Sequence, residues 1–157
     1  MENDSSNRRT ILIVDEKPLR REAYAKLFAP WASEQNLRLI DRSLGAREPA
    51  DRQTAMIVVS AGSTSVTELR LRGELTNILA DGPAAVVISD RDDPSEIAAA
   101  LTLGIRGFLP TILTAELAFK TLTFVLSGGD FFPSSALQPR FHSGFTPPAK
   151  SDENGKR

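Results

Sequence analysis

Two adjacent carboxylates, Asp15 and Glu16, stand directly after an apolar run near the start of this 157-residue chain. The run TILIV, at positions 10–14, is typical of a strand that is covered on both faces. Ligands of open α/β sheets bind outside the carboxyl ends of such strands. The pair could therefore hold a hard cation such as Mg²⁺, which prefers oxygen ligands. It could equally complement the positive end of a helix that begins at Pro18 and otherwise meet water.

Polar residues also follow three later apolar runs, TAMIVV at 54–59, AAVVIS at 84–89 and IRGFL at 105–109. The residues at these ends are Ser60, then Ser89 and Asp90, then Pro110 and Thr111. The loop SAGSTS, which starts at Ser60, could expose backbone N–H groups to an anion at the start of a helix. A simple capped turn explains the same composition, and no GxGxxG or P-loop spacing is present.

Several other kinds of chemistry are excluded or have an ordinary explanation. The chain has no Cys, which excludes disulfides and thiolate chemistry and agrees with a reducing compartment. The single His, His142, lies in a Pro-rich tail without triad or metal partners nearby, and Met56 and Trp31 fit core and helix-end packing. Net charge is −1 and the basic residues are spread along the sequence, so direct DNA binding is not expected.

Helical periodicity lies between the apolar runs. A first helix is predicted from Pro18 to about Pro30, with a distorted extra turn through Trp31. Its apolar stripe is formed by Leu19, Ala23 and Leu27, joined by Tyr24 and Phe28. A second strand is predicted at 37–40, and any helix in the polar stretch 41–53 is expected to be short or irregular.

Three further helices follow from capping and stop signals. One begins at the Ser65–Glu68 capping box and ends near Asp81, with Leu69, Leu75, Ile78 and Leu79 buried. The next begins at Asp93-Pro94 and ends near Gly104, where a left-handed residue can terminate it. Thr114 caps the last, which carries Leu117, Ala118, Leu122, Val125 and Leu126 and ends at Gly128-Gly129.

Five short strands alternating with helices predict an α/β fold, a three-layer doubly wound parallel sheet with right-handed crossovers. We expect a disordered N-terminus at 1–9, one domain at 10–132, and a Pro-rich linker or tail at 133–157. No signal peptide and no run of about 18 apolar residues is found, which favours a soluble cytoplasmic protein without membrane contact.

Three segments resemble receiver domains of LuxR-type response regulators: ILIVDE, VVISDRDDPSEIAAALTLGIRG, and GFLPTILTAELAFKTLTFVLSGGDFFP. The resemblance covers about residues 10–133 and implies a flavodoxin/CheY-like sheet with strand order 2-1-3-4-5. It also implies a phosphorylation pocket in which an Asp after the third strand accepts a phosphoryl group from a kinase. Asp15 and Glu16 match the family's acidic pair, Ser89 its sensing hydroxyl and Phe108 its switch aromatic.

Two positions depart from that pattern. Ser60 stands where the acceptor Asp is expected and Thr111 where the phosphate-binding Lys is expected, and no Asp or Glu occurs between Arg52 and Thr67. An acyl phosphate needs a carboxylate, and losing it also removes a metal ligand, so Mg²⁺ binding is expected to be weak or absent and no cofactor is expected. Losing the Lys removes a charge that stabilises the transferring phosphoryl group.

The resemblance with its departures predicts a degenerate receiver, a non-enzymatic pseudo-receiver that acts through protein contacts or dimerisation without Asp phosphorylation. Expected partners are a second copy, a histidine kinase or another regulator, with DNA contacted only through a separate effector domain. The dimerisation candidates are the first and last helices or the face around Phe108. Two alternatives stay open: a phosphorylatable receiver with a non-standard acceptor, and a flavodoxin-like nucleotide- or phosphate-binding module using Asp15, Glu16 and SAGSTS.

Overall fold

Five parallel strands form one sheet in the order β2-β1-β3-β4-β5. The computed structural model describes residues 8–45, 51–79 and 82–134. The strands are β1 Thr10–Val14, β2 Arg38–Arg42, β3 Thr54–Gly62, β4 Ala84–Ser89 and β5 Gly107–Pro110. The helices are α1 Pro18–Glu34, α2 Val66–Leu71, α3 Glu74–Leu79, α4 Pro94–Thr102 and α5 Ala115–Leu126. The predicted α/β class and strand order are confirmed.

Two apolar layers sandwich the sheet because successive side chains of a strand point to opposite faces. In β3, Met56 and Val58 face a cluster that includes residues of α1 and α5. Ile57 and Val59 face a second cluster built with α2, α3 and α4. All nine residues of β3 are buried, as expected for the central strand of a sheet covered on both sides.

Helix α1 differs from its prediction in length and in the face that it buries. It continues through Pro30 to Glu34, although proline has no N–H to donate to the preceding turn. The buried residues are Phe28, Trp31 and Ala32, whereas Leu19 is 82% exposed and Leu27 is 44% exposed. The predicted stripe is therefore wrong at Leu19, Ala23 and Leu27, whereas its prediction of Phe28 is confirmed and Tyr24 is partly buried.

Aromatic packing against α5 explains both differences in α1. The Trp31 ring stacks on Phe119 with 6.4 Å between ring centroids, and Phe28 meets the same ring edge-on at 5.6 Å. Trp31 Nε1 also donates a 3.0 Å hydrogen bond to Thr123 Oγ1. Burying these large rings contributes more free energy to the last turn than the loss of one backbone hydrogen bond costs. The same packing turns Leu19 and Leu27 toward solvent.

The segment between β3 and β4 also departs from the prediction. Strand β3 extends three residues past Val59, so Ser60, Ala61 and Gly62 lie in the sheet and not in a loop. The single helix predicted after Ser65 is two short helices, separated at Gly73, whose φ of +74° is left-handed. Most of its predicted core is retained, since Leu69, Leu75 and Ile78 are buried, whereas Leu79 is only partly buried.

Most predicted helix ends are confirmed. Ser65 Oγ accepts a hydrogen bond from the Glu68 N–H at 3.0 Å, and Thr114 Oγ1 accepts from the Leu117 N–H at 3.3 Å. Gly104 adopts φ +78° after α4. Asp93 occupies the N-cap position of α4, but its side chain bonds the hydroxyl of Ser95 instead of a helix N–H.

Some predictions fall outside the part of the chain that the structure describes. Residues 1–7, 46–50, 80–81 and 135–157, including His142, are not described. The predicted disordered N-terminus, the predicted tail and the predicted helix end near Asp81 therefore stay predictions. Within the described ranges, no helix has the length and apolar character needed to cross a membrane.

Candidate functional site

The carboxyl ends of β1, β3, β4 and β5 form one edge of the sheet, and this edge holds the predicted site residues. The loops there are tied together by backbone hydrogen bonds. The Asp90 N–H donates to Gly62 O at 2.9 Å, and the Thr111 N–H donates to Ser89 O at 2.9 Å. Because β1 lies next to β3, Asp15 comes to the same edge as Ser60, as the sequence predicts.

Asp15 is fully buried, and both of its carboxylate oxygens are occupied by donors from the following helix. Arg20 Nε donates to Oδ2 at 2.6 Å and Arg20 Nη2 donates to Oδ1 at 2.7 Å, a two-point pair. The Lys17 N–H adds a third bond to Oδ1 at 2.8 Å. Asp15 is thus satisfied within the chain itself.

The electrostatics of this pair follow from its burial and its hydrogen bonds. Burial by itself raises the pKa of Asp15, but the bonds from Arg20 and Lys17, together with the nearby Ser60 hydroxyl, leave that pKa below its usual range. The bond to Asp15 raises the pKa of Arg20 in turn. Both groups are therefore charged at neutral pH.

The Arg20 guanidinium lies between Asp15 and the end of β3. A Cβ atom on Gly62 would stand 1.9 Å from Arg20 Nη1 and 2.8 Å from its Cζ, so only glycine leaves room for this side chain. Gly62 also adopts φ +57°, a left-handed conformation that favours glycine. Sequence reasoning missed Arg20, although its place one turn into the helix behind an acidic strand end was an available signal.

Ser60 and Glu16 do not complete a carboxylate cluster with Asp15. Ser60 is 1% exposed, and its Oγ makes no hydrogen bond of ordinary geometry in the described residues, although it lies close enough to lower the pKa of Asp15. Glu16 is partly exposed, and its carboxylate lies 3.7 Å from Arg72 Nη1. The two adjacent acids thus have separate partners.

The remaining predicted site residues are engaged locally. Ser89 is buried, and its Oγ accepts a hydrogen bond from the Arg91 N–H at 3.0 Å. Thr111 is exposed, and its Oγ1 donates to Asp90 Oδ1 at 2.9 Å. Phe108 is fully buried in the cluster that contains α4, so it offers no surface to a partner.

The SAGSTS segment does not form the anion-binding loop considered from its composition. Its first three residues belong to β3, and the helix that follows has only six residues. The N–H groups at the start of α2 already have acceptors: the Val66 N–H donates to Glu96 Oε2 at 2.8 Å, and the Glu68 N–H donates to Ser65 Oγ. The capped turn is the interpretation that the structure supports.

The residues at this edge do not fit a resident Mg²⁺ ion. Magnesium requires oxygen ligands with free lone pairs facing it, and the Asp15 oxygens already face the Arg20 guanidinium. Ser60 supplies a neutral hydroxyl where a second carboxylate would be needed. In the described part of the chain, no group of three acidic or His side chains is arranged to hold a metal ion.

Comparison with known proteins identifies the fold. No family model matches the sequence, and no curated protein matches it significantly. A LuxR family DNA-binding response regulator from Silicibacter pomeroyi is 23% identical, covering 80% of this chain and 98% of its own, with a TM-score of 0.61. A CheY-like response regulator from Mesorhizobium loti is 13% identical, covering 74% and 98%, with a TM-score of 0.55.

A pilus assembly protein, CpaE, from Caulobacter crescentus has the same fold at 17% identity, covering 74% of this chain and 98% of its own, with a TM-score of 0.54. Its name gives a role different from that of the two response regulators. At these identities the likeness establishes the architecture. The chain has the CheY-like fold of response regulator receiver domains.

Proposed function

We propose that this chain is a pseudo-receiver, a regulatory domain of the LuxR response regulator type that acts through protein contacts without phosphorylation of an aspartate. The observation that carries the proposal is the Asp15–Arg20 pair, in which a guanidinium contacts both oxygens of the acidic residue after β1. Its role is regulatory and not catalytic.

The proposal rests on charge and on chemistry. A receiver pocket needs a carboxylate nucleophile and a metal that neutralises the incoming phosphoryl group. Here the acceptor position is the hydroxyl of Ser60, and the positive charge is supplied by Arg20. Asp15 is therefore neutralised permanently, and the edge needs neither a metal nor a phosphoryl group to reach its stable arrangement.

Protein contact would use exposed apolar surface on α1 and α5. These helices share one layer through Phe28, Trp31 and Phe119, and they expose Leu27 at 44%, Leu117 at 49% and Phe124 at 53%. Large apolar side chains exposed on one helical layer are candidates for an interaction site. Of the two predicted dimerisation surfaces, we therefore favour the helix pair. DNA contact through a separate effector domain stays part of the proposal.

Phosphorylation at neutral pH tests the central claim. The protein is incubated with phosphoramidate and Mg²⁺, and its intact mass is read without acidification. We expect no phosphoryl adduct. An adduct on any carboxylate would contradict the proposal and favour a receiver with a non-standard acceptor.

A series of gain-of-function variants separates two causes of lost phosphorylation, the missing acceptor carboxylate and the guanidinium bound to Asp15. The double variant Ser60→Asp with Thr111→Lys restores both absent groups, but Arg20 would still neutralise Asp15. We therefore expect substantial phosphorylation only when Arg20→Ala is added. Equal phosphorylation of the double and triple variants would show that Arg20 does not block the pocket.

Sedimentation velocity tests the contact surface. If α1 and α5 form a homodimer, Leu27→Lys should shift the protein towards monomer. Leu101→Lys on α4 is the matched control, since Leu101 is 50% exposed on another helix. If the wild type is monomeric at every accessible concentration, the homodimer is excluded and a different protein partner is required.

A further inference from the structure

A concave site lies at the amino edge of the sheet, opposite the edge that holds Asp15, where the strands begin. A cleft of about 610 Å³ opens there, within the size range of small-molecule sites. Its charged lining comes from residues just before the strands: Arg9 before β1, Arg52 before β3 and Arg106 before β5, with Asp51 as the carboxylate in the described lining. Gly82 and Pro83, before β4, also line the cleft and carry no long side chains.

The arginines reach this cleft because of the sheet topology. Strands β1 and β3 are neighbours, and β5 lies two strands beyond β3. At a strand spacing of about 4.8 Å, β3 and β5 are roughly 10 Å apart across the sheet. The register places Arg106 level with Ile57, so Arg52 lies several residues further toward the amino end of the strands. Residues that are more than fifty positions apart in sequence therefore line one cleft.

Two of the three guanidinium groups have no partner among the described residues and can accept a ligand. In the described residues, the side chains of Arg9 and Arg52 take part in no ion pair or hydrogen bond. Arg106 is held in place, because its Nε donates to Asp130 Oδ1 at 2.8 Å and its Nη2 donates to Gly128 O. The latter bond offsets the negative end of α5, which would otherwise repel an anion.

We propose that this cleft binds a small ligand carrying two or more phosphate or carboxylate groups. Guanidinium groups have a planar arrangement of donors that matches the oxygens of either group. Arg9 and Arg52 would bind one anionic group beside β1 and β3, and Arg106 would orient the other across the cleft. The site is separate from the Asp15–Arg20 pair, so it does not depend on the function proposed above.

Calorimetric titration at low salt, with inorganic pyrophosphate and with citrate as probes, tests the proposal. We expect one saturable site for at least one probe, and the stronger probe identifies phosphate or carboxylate as the preferred group. Arg52→Gln should weaken binding about tenfold, because a charge-assisted hydrogen bond is lost. Asp51→Asn should strengthen it severalfold by removing a like charge.

Arg70→Gln is the matched control, since Arg70 is an exposed arginine on α2 outside the cleft lining. It should change affinity less than twofold, and all variants should keep the wild-type melting temperature. Amide shifts on ligand addition should be largest at Ala55, Ala84 and Gly128. Absence of saturable binding by both probes would overturn the proposal, as would equal weakening by Arg70→Gln and Arg52→Gln.

Discussion

The two edges of the sheet use arginine in opposite ways. At the carboxyl edge, Arg20 binds a fully buried carboxylate through two bonds and leaves no open position beside it. At the amino edge, Arg9 and Arg52 line a cleft together with Asp51, and their side chains make no ion pair or hydrogen bond with the described residues. The difference shows that an arginine is available to a ligand only where no buried carboxylate lies beside it to bind its guanidinium.

Substituting one arginine at each edge should give the largest difference in stability between two variants. Arg20→Met leaves Asp15 buried beside an apolar group, and an uncompensated buried charge costs about 3 kcal/mol. Arg52→Met removes an exposed charge that has no partner among the described residues, so we expect a change within about 0.5 kcal/mol. Urea unfolding of both variants measures the difference. Similar losses would mean that Asp15 does not depend on Arg20.

A methyl group at Gly62 should disturb the closed edge next most strongly. Gly62→Ala forces a left-handed residue and places its Cβ against Arg20, so we expect a loss of about 2 kcal/mol. Gly104→Ala is the control, because Gly104 is also left-handed, at φ +78°, and has open space around it. Thermal unfolding should show the larger loss for Gly62→Ala. Equal losses would mean that only the backbone conformation matters and that Arg20 moves away freely.

Acid should weaken the closed edge specifically. The pKa of Asp15 is lowered in the folded protein, so its stabilising contribution is complete above the ordinary value of 3.8 and is lost as the pH falls through the lowered folded-state pKa. Each unit of lowering corresponds to about 1.4 kcal/mol. The difference in free energy of unfolding between wild type and Asp15→Asn, measured by urea unfolding, should therefore decrease as the pH falls below 3.8. A difference that does not change with pH would contradict a lowered pKa for Asp15 in the folded protein.

A smaller effect is expected for Arg106, the arginine of the cleft lining that has partners among the described residues. Its ion pair with Asp130 is exposed, so Arg106→Gln should cost about 0.5–1 kcal/mol, including the lost bond to Gly128 O. Arg52→Gln, which breaks no contact, should cost less. If urea unfolding shows Arg52→Gln to be the more destabilising of the two, Arg52 has a structural partner. Its guanidinium would then not be available to a ligand in the cleft.

Strands β1, β3 and β4 were predictable because they are continuous apolar runs bounded by turn residues. Long β-branched runs such as 54–59 have no other stable place in a chain of this size. The buried face of α1 was not predictable from spacing, since Leu27 and Phe28 satisfy helical periodicity equally well. Contact between Trp31 and Phe119, far apart in sequence, decides which of them turns inward.

The candidate sites also have a part that was predictable from the sequence and a part that was not. Strand ends predicted that Asp15 and Ser60 meet, because parallel strands bring their carboxyl ends together. The two-point contact from Arg20 depends on the helix direction and on the space left by Gly62, and neither is encoded in residue type alone. The arginine cleft was missed because its residues are spread along the chain. Only the fold collects them at one edge.

The contact between Glu96 and Val66 has a consequence for how the domain opens. Helix α2 has six residues, too few to persist alone, and its first N–H is bound by a carboxylate that belongs to α4. When α4 detaches, that carboxylate leaves and α2 loses its N-terminal acceptor. The two helices should therefore exchange their amide hydrogens as one cooperative unit, although α3 and β4 separate them in the chain.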